Sequence, residues 1–265
     1  MSKSRIMHNM TVEEVRNGLT EMKTIIVPLG VVEQHGYHMP LSVDVHNAEQ
    51  ISWKASESTA CFVAPCIHYS FSGGTLPGTI NLSPSTVTQV LTDIFRSLVL
   101  QGFKNIIVIL GHGGTENTQA AKDAAAIYQR LSPEIEDVTI SIIGFWELSP
   151  TYMKSFADRD YHAAKYETSL MLYWKPELVH MDRLQTDKPE FVEKMRQDPD
   201  AYLTCHKAVD DDYVVPKMVQ SEEMNVGVMG VPHEADAELG RIMAEEASSA
   251  LAEYVNKLEK RFARD

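Results

Sequence analysis

Two short apolar runs, at residues 24–30 and within residues 104–110, interrupt a chain whose other apolar positions mostly recur at helical spacing. Runs of this length are too short for helices and suit parallel strands covered on both faces. Between and after them the pattern turns helical. Residues 45–57 read as a helix with Asp44 at its N-cap, because Asp is among the preferred capping residues. Ser83 and Pro84 open a second helix reaching residue 101, in which Val87, Leu91, Ile94, Phe95 and Leu98 share a face before Gly102 ends it. Residues 115–131 predict a third helix, and a fourth carries Glu167 to Trp174 ahead of Pro176. The last, over residues 235–261, is marked by Leu239, Ile242, Met243, Leu251 and Tyr254. Further strands are expected at residues 62–67 and 138–145, and residues 71–83, rich in Gly, Pro, Ser and Thr, form a loop. Strands alternating with helices predict an α/β fold: a three-layer α/β/α sandwich around a mostly parallel central sheet with right-handed crossovers.

Residues 182–220 break this rhythm. They are polar, charged and weakly periodic, and read as an insertion or excursion packed on the domain without a core of its own. The whole chain, residues 1–265, is expected to form one domain.

Composition narrows the class without altering the architecture. With 265 residues, 44% apolar and 23% charged, the chain has ordinary globular proportions. The first residues lack the apolar stretch of a secretory signal, and no window is long and apolar enough for a membrane span, so a cytoplasmic location is expected. Cys61, Cys66 and Cys205 show no C-x-x-C spacing and read as reduced thiols. A formal net charge of -13 disfavours nucleic acid and anionic membranes, which rely on a basic face, and leaves a small molecule as the expected partner.

Candidate chemistry sits where the two apolar runs end. Glu33 and His35 follow the first, Asp44 returns at the next helix start, and His112 follows the second, flanked by Gly111, Gly113 and Gly114. In open α/β sheets ligands bind outside the carboxyl ends of strands, so these segments are expected to converge. If the first stays extended, Glu33 and His35 point to one side. Carboxylates and imidazoles brought together are costly to bury unpaired, and a mixed nitrogen and oxygen set suits Zn, Mn or Fe, whereas Mg or Ca would want nearly all oxygens.

The residues Pro28-Leu29-Gly30, Glu33-Gln34-His35-Gly36, Pro40-Leu41, Asp44, Pro77-Gly78-Thr79-Ile80, Gly111-His112-Gly113-Gly114, His162, Glu167-Thr168-Ser169-Leu170 and Gly227-Val228-Met229-Gly230, in that order, make the chain similar to the creatininase (creatinine amidohydrolase) family over about residues 24–240. The resemblance implies a three-layer α/β/α fold, a two-metal hydrolytic site and a homohexamer. It implies Glu33, His35, Asp44, His112 and Glu167 as ligands, with Asp44 bridging. His162 matches a histidine that the family places in its active site and is the candidate general acid or base. Glu116, close after His112, is the alternative to Glu167, since creatinine-hydrolysing members carry a glutamate near that position. Two divalent ions about 3.5–4 Å apart lower the pKa of a bridging water and polarise the bond it attacks. Three carboxylates against two such ions leave one positive charge for hydroxide to neutralise.

Departures from the family pattern fall around the expected pocket. Gly113-Gly114 replaces an aromatic residue and a glutamate, the loop at residues 71–76 lacks an acidic residue and a histidine common in relatives, Thr115 stands for Asn, and Ala164-Lys165 for Gly-Glu. These changes point away from creatinine and toward another small polar ring, with Tyr161, Lys165, Trp146 and Glu116 as candidate substrate contacts. The expected reaction is metal-hydroxide opening of such a ring or cleavage of a non-peptide C–N bond in a cyclic amide or formamide. The alternatives are hydrolytic C–C opening of an oxidised inositol, a 3-dehydro-scyllo-inosose-type diketone, and a non-catalytic metal-binding assembly protein.

Overall fold

The computed structural model describes residues 4–132 and 137–262. In chain order its main elements are β1 (Arg5–Ile6), α1 (Val12–Gly18), β2 (Thr24–Leu29), α2 (Val43–Thr59), β3 (Phe62–Val63), α3 (Pro84–Gln101), β4 (Asn105–Leu110), α4 (Thr115–Leu131) and β5 (Thr139–Gly144). After them come α5 (Lys154–Asp158), α6 (Lys165–Trp174), α7 (Pro189–Gln197), β6 (Leu203–His206), β7 (Lys217–Gln220) and α8 (Ala237–Glu259). The first five strands form one sheet in the order β1-β3-β2-β4-β5, parallel at every pairing. The central pair, β2 and β4, is buried at every residue, as continuous apolar runs require. Helices α3 and α4 pack together, and α2, α6 and α8 form a second packed group.

Strand order decides where the sheet opens. From β2 the chain passes through α2 to β3 on one side, and from β4 through α4 to β5 on the other. Right-handed crossovers running in opposite directions place α2 and α4 on opposite faces. The carboxyl ends of the adjacent strands β2 and β4 therefore flank a crevice from which the following connections diverge. A methyl group at Gly111, just past β4, would collide with the carbonyl oxygen of Asp44, and a Cβ at Gly30, just past β2, would lie 2.6 Å from Cα of Val45. Only the missing side chains let the first turn of α2 press against both strand ends.

Three local expectations change. Asp44 is not the cap of α2: Ser42 holds that position without a side-chain bond, while Asp44 lies in the first turn and is 1% exposed. Its carboxylate faces the imidazoles of His35 and His112 instead of backbone amides. The strand expected at residues 62–67 shortens to Phe62–Val63, because Pro65 has no N–H to give the ladder; pairing returns only as an isolated bridge between Leu29 and Ile67. The excursion is more organised than its composition suggests. It contains α7 and the antiparallel hairpin β6–β7, and Phe191, Met195 and Ala201 form a small buried cluster with Met224 and Met229. No helix among the described residues is long and apolar enough to cross a membrane.

Candidate metal centre

The segment after β2 is locked before it presents any ligand. Glu33 N donates to the Leu41 carbonyl at 3.0 Å, Ile80 N to the Val32 carbonyl at 2.9 Å, and Gln34 N to Thr79 Oγ1 at 3.1 Å. In this frame His35 Nδ1 lies 3.1 Å from the Glu33 carbonyl. A carbonyl can only accept, so Nδ1 carries the proton and Nε2 of the neutral ring is left with its lone pair. That lone pair faces two acceptors, Asp44 Oδ1 at 3.5 Å and Glu167 Oε2 at 3.6 Å. On the other side of Asp44, His112 Nδ1 lies 3.1 Å from Glu33 Oε2 and 3.4 Å from Asp44 Oδ2. Glu33 Oε2, His35 Nε2, Asp44 Oδ2 and His112 Nε2 are buried without a hydrogen-bond partner among the described residues.

These atoms fit divalent ions better than they fit one another. Separations of 3.5 and 3.6 Å are long for charge-assisted hydrogen bonds. Two ligands each about 2.1 Å from a tetrahedral ion stand roughly 3.4 Å apart. The ligand atoms of Glu33, Asp44 and His112 all lie within 4.8 Å of one another, and so do those of His35, Asp44 and Glu167. Asp44 is common to both groups and offers Oδ2 to one and Oδ1 to the other.

In the protein alone, protons supply the positive charge the cluster needs. Burial opposes charge on His35, but Asp44, Glu167 and Glu33 outweigh it and raise its pKa to about 9. His112 is pushed well above its usual value because Glu33 and Asp44 overcome the same penalty. Burial would likewise raise Glu33, yet His112, His162 and His35 hold it well below the carboxylate range. Glu167 is raised to about 7, first by burial and then by Asp44 and Glu33. A bound divalent ion would reverse this pattern by favouring neutral imidazoles and ionised carboxylates.

His162 completes a third group with Glu33 and His35. Its Nε2 donates to the Gln34 carbonyl at 2.7 Å, its ring lies 4.2 Å from that of His35, and its Nδ1 faces Glu33 Oε2 at 3.9 Å. Burial and then the neighbouring His35 lower its pKa to about 4, against the pull of Glu33, so the ring is neutral near pH 7 and Nδ1 is an acceptor.

The remaining sequence candidates lie outside the cluster. Glu116 is exposed in the first turn of α4 and lines a cavity of about 610 Å³ between the loop at residues 71–75 and the β6–β7 hairpin. Trp146 lies beside Gly113, where a Cβ would meet its ring at 3.6 Å. Lys165 pairs with Glu234 at 3.3 Å, and Tyr161 packs against the Phe191 and Met195 cluster, so neither joins the centre. Polar residues outside the ligand set brace the segments that carry it. Gln34 accepts from Gly36 N and donates to the Gly227 carbonyl, Ser72 Oγ donates to Glu33 Oε1, and Thr168 Oγ1 meets His38 Nε2 at 3.0 Å. Gln34 and Thr168 belong to the Glu-Gln-His-Gly and Glu-Thr-Ser-Leu motifs, whereas Ser72 lies in a loop with no spacing to mark it.

The chain is similar to known proteins. The creatininase family profile, described as creatinine amidohydrolase, matches residues 8–255. A creatinine amidohydrolase of Pseudomonas putida is 28% identical over 207 residues, spanning 71% of this chain and 79% of the relative. A mycofactocin precursor peptide peptidase of Mycobacterium ulcerans is 31% identical over 172 residues, 61% of this chain and 62% of the relative. A 3-dehydro-scyllo-inosose hydrolase of Thermotoga maritima is 24% identical over 259 residues, 94% and 80%. Among solved structures, a creatinine amidohydrolase (creatininase) superposes with a TM-score of 0.76 over all of both chains at 23% identity. A creatininase titled with Mn gives 0.76 at 23% identity, covering 96% of this chain and 98% of that one. With a profile matching nearly from end to end, the chain belongs to the creatininase family.

Proposed function

We propose that the chain is a metal-dependent hydrolase that opens a small polar ring by cleaving a non-peptide C–N bond. The observation that carries this reading is the pair of ligand groups, Glu33–Asp44–His112 and His35–Asp44–Glu167, joined through Asp44 at the open end of the sheet. Glu33, His35, Asp44, His112 and Glu167 would hold two divalent ions there, Zn, Mn or Fe, and bound ions would lower the pKa of water and polarise the oxygen of the bond under attack.

The chain's own groups do the rest. His35 keeps Nε2 free because the Glu33 carbonyl fixes its tautomer. His162, with Nε2–H held by Gln34, presents Nδ1 to take a proton during attack and return it to the leaving nitrogen. The cavity beside Glu116, Tyr202 and Gln220 has room for a small ring and its substituents. An amidohydrolase and a peptidase among the relatives both cleave C–N bonds. Assembly as a homohexamer, which rests on family likeness, and a cytoplasmic location, which rests on the sequence pattern, complete the reading.

One observation favours a second reading, hydrolytic C–C opening of an oxidised inositol. The relative named for 3-dehydro-scyllo-inosose aligns over 94% of this chain, against 71% for the creatinine amidohydrolase. Metal analysis with turnover of cyclic amides, formamides and oxidised inositols separates the cases. Release of amine or ammonia supports C–N cleavage, and a nitrogen-free linear keto acid supports the second reading. Well under one ion per chain, or full turnover by Glu33→Gln, overturns both.

A further inference from the structure

The loop at residues 71–75 lies in one of the stretches where the sequence departs from the family pattern, and it is braced from two sides. Asn81 Oδ1 accepts from Ser72 N at 2.8 Å and from Gly73 N at 3.0 Å, while Asn81 Nδ2 donates to the Gly74 carbonyl at 2.8 Å. From the other side Gln220, the last residue of β7, accepts from Thr75 N at 2.8 Å. One side chain of the loop points inward. Ser72, 7% exposed, accepts from Gly74 N at 3.1 Å and donates its hydroxyl to Glu33 Oε1 at 2.5 Å. The direction of that bond is fixed, because the amide already occupies a lone pair of Oγ and an ionised carboxylate only accepts.

The two oxygens of Glu33 thereby acquire different tasks. Oε1 is held by Ser72, while Oε2 is buried without a hydrogen bond and faces His112 Nδ1 at 3.1 Å. The Ser72 bond fixes the rotation of the carboxylate and leaves Oε2 as the oxygen turned toward His112. We infer that Ser72 is the positioning residue of Glu33, reserving Oε2 as a single ligand atom, and that Asn81 and Gln220 hold the loop that places it. This rests on the two-metal reading above. Gly73, Thr75 and Gln220 also line the cavity, so one rigid loop shapes the substrate's surroundings and aims a ligand.

The test is metal affinity of the full-length protein, measured by competition with a chromogenic chelator for Zn and Mn, together with the visible spectrum of the Co(II)-loaded form. Ser72→Ala should weaken binding about 10- to 100-fold, the usual cost of removing a ligand's orienting partner, and should change the Co(II) spectrum. Ser72→Thr should restore both. If Ser72→Ala fails to fold, Ser72→Cys, similar in size and a weak donor, carries the same expectation. Gln220→Ala should give a smaller loss. Folded Ser72→Ala or Ser72→Cys protein that matches the wild type in affinity and spectrum overturns the inference alone; a wild-type chain that takes up no ion overturns it together with the two-metal reading.

Discussion

His35 Nε2 stands 3.5 Å from Asp44 Oδ1 while its other ring nitrogen donates to the Glu33 carbonyl, so a neutral ring meets the carboxylate lone pair to lone pair. Only a positive charge between them makes the contact favourable. A proton can fill that place in the protein alone and a divalent ion in the loaded protein, and their competition organises the behaviour expected of the site.

Asp44 serves both ligand groups, whereas His112 serves one. Asp44→Asn should therefore lose both ions and His112→Ala principally one. Metal content by mass spectrometry distinguishes them, and equal losses would contradict the shared role. Activity of Asp44→Asn should fall by more than the roughly 100-fold that changes behind a ligand cost.

His162→Asn should lower kcat about 10²- to 10⁴-fold, the range for losing a general acid or base, with metal content unchanged. Loss of bound metal in this variant would mean that the imidazole is a ligand.

Removing the ions should reverse the response of stability to pH. The pKa of His35, raised to about 9 in the folded metal-free chain, contributes stability that is complete below about 6.5 and lost as pH rises through 9. His162, lowered to about 4, acts at the other end: its neutral burial costs stability as pH falls from 6.5 toward 4. Metal binding strengthens with pH because its ligands must lose protons. The gain in melting temperature from added Zn or Mn should thus grow between pH 6.5 and 9; a gain independent of pH would remove the proton–metal competition.

Gly111→Ala forces a methyl group into the Asp44 carbonyl. Overpacking of this kind costs about 1–3 kcal/mol, read as a lower melting temperature. Because the displaced backbone carries Asp44, metal affinity should fall with it. Ala at Gly102, where a Cβ would meet nothing within 4 Å, serves as a control that lowers stability through its positive φ while leaving affinity intact.

The parts of this architecture legible in the sequence are those set by local pattern. β2 and β4 are written as apolar runs, α3 as Ser83-Pro84 with its spaced Val87, Leu91 and Phe95, and the convergence of Glu33, His35 and His112 follows from strand ends. What stayed hidden depends on partners distant in sequence. Propensity alone makes Asp44 a helix cap, and its place as a ligand comes only from the motif it shares with Glu33 and His35. Tyr161 and Lys165 adjoin His162 and Glu167 in sequence, yet one turns into an apolar cluster and the other to Glu234. The hold of Ser72 on Glu33 joins positions 39 residues apart and leaves no trace in spacing.

The crevice between β2 and β4 exists because the chain winds away from it in both directions, not because any one side chain is small. An opening written into connectivity is robust to sequence drift. The excursion bearing the β6–β7 hairpin borders the cavity from a separate stretch of chain, anchored by its own buried cluster and by the grip of Gln220 on the loop beneath. Novelty of substrate and constancy of reaction can then evolve at different rates within one chain.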